Sequence, residues 1–218
     1  DALVGYFRAS GYFKVRPFLD NVPHIRILVG IDVDKILAKY QSKGLLFQGD
    51  ANQTLIEFLS EVKSDIQDAD YNQEIEEGIL QFIEDIATRK IEIKAHPSKK
   101  LHAKIYIFKP KGWNEHKSGY VITGSSNLTE NGLGGTDNFN YEFNVQLKDY
   151  DDVKFASDEF ERLWIEGISI LPVEINKVKK ETFLNDDFTP FEVYIKFLIE
   201  YFGKSVEFDP NSVTDLPE

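Results

Sequence analysis

The chain has 218 residues, 42% hydrophobic and 28% charged, and a formal net charge of −12; this supports a substantial core and excludes a disordered chain. It contains no cysteine, which rules out disulfides, thiolate-bound metal and a thiol nucleophile. No apolar run approaches the ~20 residues of a membrane span, and the opening Asp1-Ala-Leu-Val-Gly-Tyr-Phe lacks the basic segment of a signal peptide. A cytoplasmic protein is therefore expected. A chain without methionine that starts at Asp1 is expected to be an excerpt of a longer one.

Taken in order, Leu3 to Phe7 and Ile25 to Ile31 are short, β-rich and bounded by Gly or Pro, as buried strands are. Gly11 to Leu19 between them suits a helix capped by Ser10. A further helix is expected from Asp32 through Tyr40, ended by Gly44. Gln53 to Ile66 and Glu74 to Thr88 repeat apolar residues at helical spacing (Leu55, Leu59, Val62, Ile66, then Ile75, Ile79, Ile83, Ile86). The simplest role for both is scaffold, with their carboxylates on solvated faces.

The period then changes to that of strands: Ile91 and Ile93, Leu101 to Phe108, Tyr120 to Thr123, and Tyr141 to Leu147. Gly112 to Gly119 is a polar loop, and Asn131 to Gly135 is glycine-rich. A helix is expected over Val153 to Trp164, another over Pro190 to Phe202, and a linker from Asp209. We expect one domain over 1–170, a helical extension over 171–208, and a linker over 209–218 toward a further region. Intermixed strands and helices give an α/β fold, a layered α/β/α sandwich around a central mixed sheet.

Charge is concentrated in one place. From Arg89 to Lys117 nine Lys or Arg face only Glu92 and Glu115, a local balance of +7 that leaves −19 for the rest of the chain. Such a segment is either a lysine-bearing loop or a focused anion site on an acidic body.

Within it, Leu101-His102-Ala103-Lys104-Ile105-Tyr106-Ile107-Phe108 has period-two logic. Leu101, Ala103, Ile105 and Ile107 face a core, while His102, Lys104 and Tyr106 face the other way. An imidazole and an ammonium then stand ~6.6 Å apart along the backbone, where a phosphate between them would meet a nucleophile and a balancing charge. The strand at Tyr120 ends in Gly124-Ser125-Ser126-Asn127, which is a polar turn or a set of donors for an oxyanion. Asn140-Tyr141-Glu142 opens the next strand. Its carboxylate is either exposed at a strand end or orients an imidazole. His96 lies before Pro97 in the basic loop, His116 in a polar loop and His24 after Pro23 at a strand start, so they are left out of this constellation.

His-x-Lys, then Gly-Ser-x-Asn, then Asn-x-Glu, in this order and spacing, resembles the phospholipase D superfamily. The likeness is strongest to its nuclease branch and to the domains found ahead of bacterial helicases. Val4-Gly-Tyr-Phe-Arg-Ala-Ser-Gly and Ile25-Arg-Ile-Leu-Val-Gly look like that family's first strands. The resemblance implies His102 as the nucleophile that forms a phosphohistidine, and Lys104 and Asn127 as holders of phosphoryl charge. It also implies Gly124, Ser125 and Ser126 at the substrate, Glu142 orienting an imidazole, and neither metal nor cofactor. Family members use two such motifs and this chain has one, so a homodimer with the site on its twofold axis is implied. The implied substrate is nucleic acid, DNA foremost, and the implied context a larger helicase or restriction-type protein; the alternative is a non-catalytic nucleic-acid-binding or dimerisation domain. One position departs from the pattern: where the family places an Asp five residues after the Lys, this chain has Lys109.

Overall fold

The computed structural model describes residues 1–30, 51–68, 73–97, 101–134 and 140–171, with scattered positions between 175 and 201. The expected helix from Asp32 to Tyr40 with its end at Gly44, and the linker from Asp209, lie outside the described residues, as does most of the helix over 190–202.

Seven strands form one mixed sheet: β1 (Ala2–Val4), β2 (Ile25–Val29), β3 (Ile91–Ala95), β4 (Lys104–Phe108), β5 (Tyr120–Gly124), β6 (Asn144–Leu147) and β7 (Ile168–Ile170), in the order β6-β5-β4-β1-β2-β3-β7. β1, β2 and β3 are parallel, and every other pairing is antiparallel. The parallel centre is buried on both faces, which is why β1 and β2 read as apolar runs instead of alternating.

Helices cover both faces. On one side α1 (Ala9–Val15), α2 (Ala51–Asp68) and α3 (Gln73–Ala87) pack Tyr12, Phe58, Val62, Ile79, Phe82 and Ile86 onto Val4, Ile27, Val29 and Ile93. On the other, α4 (Tyr150–Glu166) buries Val153, Phe160, Leu163 and Trp164 against Leu3, Leu28, Ile107 and Val121. Arg26 also projects to this second side, its guanidinium 4.9 Å from the Phe160 ring centroid, and Asp1 and Glu161 neutralise it. The fold is the layered α/β/α sandwich expected from the sequence.

Several boundaries differ from expectation, and one strand is added. The first helix begins at Ala9, with Arg8 as its cap residue and no side-chain capping bond from it, so Ser10 lies inside the helix and not at the cap position. The helix also stops at Val15 and continues as a 3-10 turn over Arg16–Leu19. Pro17 sits in the first positions of that turn, where its missing N–H cannot extend an α-helical ladder. The short strand β7, which pairs antiparallel with β3, is an addition that three residues of Ile-Ser-Ile did not announce.

α1 is tied to α3 by a buried polar knot. Asp85, 2% exposed, accepts hydrogen bonds from the Tyr12 hydroxyl at 2.6 Å, Arg16 Nε at 2.5 Å and Gln81 Nε2 at 3.0 Å. Burial pushes the Asp85 carboxyl up, but the donors from Arg16, Tyr12 and Gln81 outweigh it and hold the group below the usual carboxylate range.

Candidate functional site

The topology gathers the candidate residues at one edge of the sheet. β1, β2 and β3 run parallel and end there at Val4, Val29 and Ala95. β4 is antiparallel to β1, with Lys104 opposite Val4, so it starts at that edge. β5 ends there at Gly124, and β6 begins there at Asn144. His102, Lys104, the turn 124–127 and Glu142 thus come to one border, outside the carboxyl ends of the parallel strands, where open α/β sheets commonly hold their ligands.

β4 is shorter than expected. Regular pairing starts at Lys104, and His102 lies in the segment just before it, because the facing chain turns away after Val4. The expected alternation still holds: Leu101, Ala103, Ile105 and Ile107 pack in the α4 core, and Tyr106 packs toward the opposite one.

Two glycines position that segment. A Cβ on Gly5 would stand 2.7 Å from Leu101 O and 3.0 Å from His102 Cα, and one on Gly30 would stand 2.6 Å from Leu101 O. All three are backbone atoms that cannot rotate away. The bare glycine backbones let the His102 segment lie directly on the ends of β1 and β2.

The His102 side chain is exposed and Lys104 is buried. Lys104 Nζ donates to the His102 carbonyl at 2.8 Å and stands 3.1 Å and 3.2 Å from the two ring nitrogens. The ammonium is therefore beside the imidazole. Burial lowers the Lys104 pKa, and the negative charge of Glu142 opposes that shift. Glu142 likewise adds to the effect of burial in raising the Tyr106 phenol. The charge of Glu142 thus acts on Lys104 and Tyr106.

Asn127 is oriented by a backbone donor. Tyr6 N–H donates to Asn127 Oδ1 at 3.0 Å, and only the oxygen end of an amide can accept. The Nδ2 end is thereby committed to donating. Arg8 N–H bonds Leu128 O at 3.0 Å, Phe7 bridges Leu128, and Gly11 and Gly132 pass so close to Leu128 and Asn127 that a Cβ on either would collide.

The other three residues of this turn mainly hold the chain to itself. Ser126 is buried, accepts at Oγ from Asn144 Nδ2 at 2.8 Å, and receives the Tyr106 hydroxyl on its carbonyl at 2.9 Å. Ser125 Oγ accepts Phe143 N–H at 3.0 Å. A Cβ on Gly124 would lie 2.1 Å from Phe143 O, so that glycine permits the β5–β6 crossing. The Asn144 clamp on Ser126 had no sequence signal, since pairing register decides it.

The remaining histidines do not join the pair, although His96 directly follows β3 at the same border. His96 is fully buried with Nε2 3.2 Å from Glu166, His24 pairs with Glu92 at 2.9 Å at the start of β2, and His116 sits in the hairpin after β4. Lys109 lies past the far end of β4, roughly 17 Å along the strand from Lys104. There it pairs with Asp1 at 3.2 Å.

A family model described as "Cardiolipin synthase, PLD-like domain" matches residues 10–164. The chain belongs to the phospholipase D-like family. That assignment carries phosphodiester chemistry, and a hydrolase of the phosphodiesterase type, at family level. No curated protein matches the chain. The matched span of this phospholipase D-like domain begins at Ser10 and ends at Trp164, so it omits β1 and Gly5 although both underlie the site. No helix among the described residues is long and apolar enough to cross a membrane.

Proposed function

We propose that this domain is a metal-independent phosphodiesterase acting on nucleic acid, DNA foremost, through a phosphohistidine at His102. The observation that carries the reading is an exposed imidazole flanked by a buried ammonium at 3.1 Å, on the same sheet border as an amide whose oxygen accepts from Tyr6 N–H. A phosphoryl group bound there meets a nucleophilic nitrogen, a fixed positive charge and a fixed N–H donor.

In the proposed reaction a ring nitrogen of His102 attacks phosphorus, and the bond to the leaving oxygen breaks. A second imidazole protonates that oxygen, then takes a proton from water as the water attacks the phosphohistidine and frees His102. Lys104 and Asn127 Nδ2 stabilise the charge on the phosphoryl oxygens. Ser125 and Ser126 support the turn that presents Asn127, Gly124 admits the neighbouring strand, and Glu142 keeps Lys104 protonated while facing whatever imidazole enters.

The second imidazole would come from another copy of the chain, as a homodimer with the site on its axis. Supporting this, His24 and His96 are paired with Glu92 and Glu166, and His116 lies in the hairpin past the far end of β4. β6 is also a sheet edge, and Tyr141 and Phe143 beside Glu142 are 90% and 65% exposed. Exposed aromatic side chains on an unpaired edge suit burial by a partner. The basic segment 89–117 suits a polyanion, and the proposed context is the N-terminal module of a helicase or restriction-type protein.

The test is hydrolysis of bis-p-nitrophenyl phosphate and of plasmid in EDTA, with wild type and His102→Ala. Cleavage lost in the variant supports the enzyme. Inert wild-type protein that still shifts DNA in a gel replaces it with the non-catalytic binding domain.

A further inference from the structure

Two side chains on the site border have no part in the chemistry above. β1 ends at Val4, and Gly5 comes so near the His102 segment that a Cβ there would stand 3.0 Å from His102 Cα. The next residue, Tyr6, gives its N–H to Asn127 Oδ1 at 3.0 Å. Its main chain therefore joins the two sides of the proposed phosphate site, the imidazole and the amide. Beyond it the chain is extended: Phe7 bridges Leu128, and Arg8 has φ −131° and ψ 141°.

Side chains alternate along such a segment. Phe7 is buried in the core on the α1 side, so Tyr6 and Arg8 share the outer side, and both are exposed. They meet there. Arg8 Nε donates to the Tyr6 hydroxyl at 3.3 Å, and its guanidinium carbon lies over the ring, 5.6 Å from the centroid, within the reach of a cation–π contact. The ring is nonetheless 37% exposed and belongs to neither core. Packing does not account for an aromatic residue at this place.

A flat ring held beside a phosphate site suits a flat group attached close to the phosphate. Nucleic acid carries one on every nucleotide, and each base has a π-face that stacks on an aromatic side chain. The guanidinium brings positive charge for the backbone to the same rim. A base inside a duplex is already stacked on both faces, so only an unpaired one can use the ring. Glu142, on the same border, repels any polyanion alike and does not choose between strands that have bases and strands that lack them.

We propose that Tyr6 is a specificity-determining residue: its ring, held by Arg8, stacks on one unpaired nucleobase beside the phosphodiester at His102 and Lys104. The placement of that phosphodiester rests on the reading proposed above. Tyr6 and Arg8 both precede the residues matched to the family, 10–164, so the match assigns them nothing.

Because Asn127 is held by the main chain of Tyr6, the side chain can be exchanged without releasing it. Fluorescence anisotropy compares labelled oligothymidylate with an abasic strand of equal length and charge, using His102→Asn protein so that neither is cut. The thymidylate should bind roughly 5- to 150-fold more tightly. Adding Tyr6→Ala or Tyr6→Leu should remove that preference and leave the abasic strand unchanged, while Tyr6→Phe should keep it. Should Ala or Leu fail to fold, the other decides. A duplex of the same length should respond to none of the three. Equal affinity for the two strands, or a preference kept in a folded Ala or Leu variant, overturns the stacking face even where wild type hydrolyses bis-p-nitrophenyl phosphate in EDTA. A preference that disappears with the Tyr6 ring, in a protein whose wild type hydrolyses nothing, keeps the stacking face and replaces the phosphodiesterase with the non-catalytic binding domain.

Discussion

Gly5→Ala should disable the site while leaving the domain folded, although Gly5 carries no chemistry of its own. The added methyl would lie 2.7 Å from Leu101 O, well inside the 3.4 Å at which ordinary contact begins. The oxygen is main chain and a Cβ is fixed rigidly to its own backbone, so relief requires the 101–102 segment to move by about 0.7 Å relative to the end of β1. Misplacement of a reacting group by ~1 Å can cost ~100-fold in rate, so a shift of this size should lower kcat/KM roughly 10- to 100-fold. Overpacking of this kind costs ~1–3 kcal/mol, which corresponds to a fall in Tm of roughly 2–12 °C for a domain of this size. The assay is hydrolysis of bis-p-nitrophenyl phosphate alongside thermal unfolding. Gly78→Ala is the control: its methyl would press on the Phe13 ring at 2.8 Å, in the helical layer away from the edge, and should alter Tm with little effect on rate. If Gly5→Ala keeps its rate within twofold, or if both variants lose rate in proportion to Tm, then close approach at Gly5 does not position His102.

Other expectations follow from the same geometry. Lys104 must be charged to serve, and burial holds its pKa below the ordinary lysine value against the opposing influence of Glu142. The alkaline limb of the rate profile should therefore fall below pH ~10.4, and Glu142→Gln should move it lower still; a limb moving upward contradicts this. Asp85→Ala removes the acceptor of a buried ion pair and should cost ~3–5 kcal/mol, read by urea unfolding. The Asp85 carboxyl is depressed in the folded state, so its contribution is present above the unfolded value near pH ~3.9. That contribution fades as pH falls through the folded value, and Asp85→Asn should flatten this acid loss. Arg89 takes a left-handed conformation with φ 59°, so Arg89→Gly should raise stability by ~1 kcal/mol, and a lower Tm would argue that its side chain outweighs the strain.

The strands and helices were legible because their periods are clean. The alternation from Leu101 to Phe108 identified which residues face a core, and the structure keeps it even where the strand itself starts three residues late. The start is late because Gly5 turns the facing chain away, and a glycine's use as a point of close approach cannot be read without knowing what approaches. The turn 124–127 was legible as polar but not as divided in its tasks. Ser125 and Ser126 look equivalent to Asn127 in one dimension, yet the pairing of Gly124 with Asn144 spends the two hydroxyls on β6. Asn127 falls one residue later and meets Tyr6 instead.

Lys109 shows how a departure from a family pattern can be weighed by location. The strand carries its two functions at opposite ends: His102 and Lys104 at the border where the parallel strands finish, and residue 109 where β4 leaves the sheet. At that far end Lys109 bonds the Asp1 carboxylate, which also takes the Arg26 guanidinium. A lysine there suits the acid at position 1 as an acid would suit a base, so the exchange is a matter of local charge pairing. Lys109→Asp should therefore set two carboxylates together and cost stability, while the rate of the folded fraction stays as it was. A selective gain in rate from that variant would mean that the charge at this end reaches the site some 17 Å away, against the screening expected beyond ~10 Å.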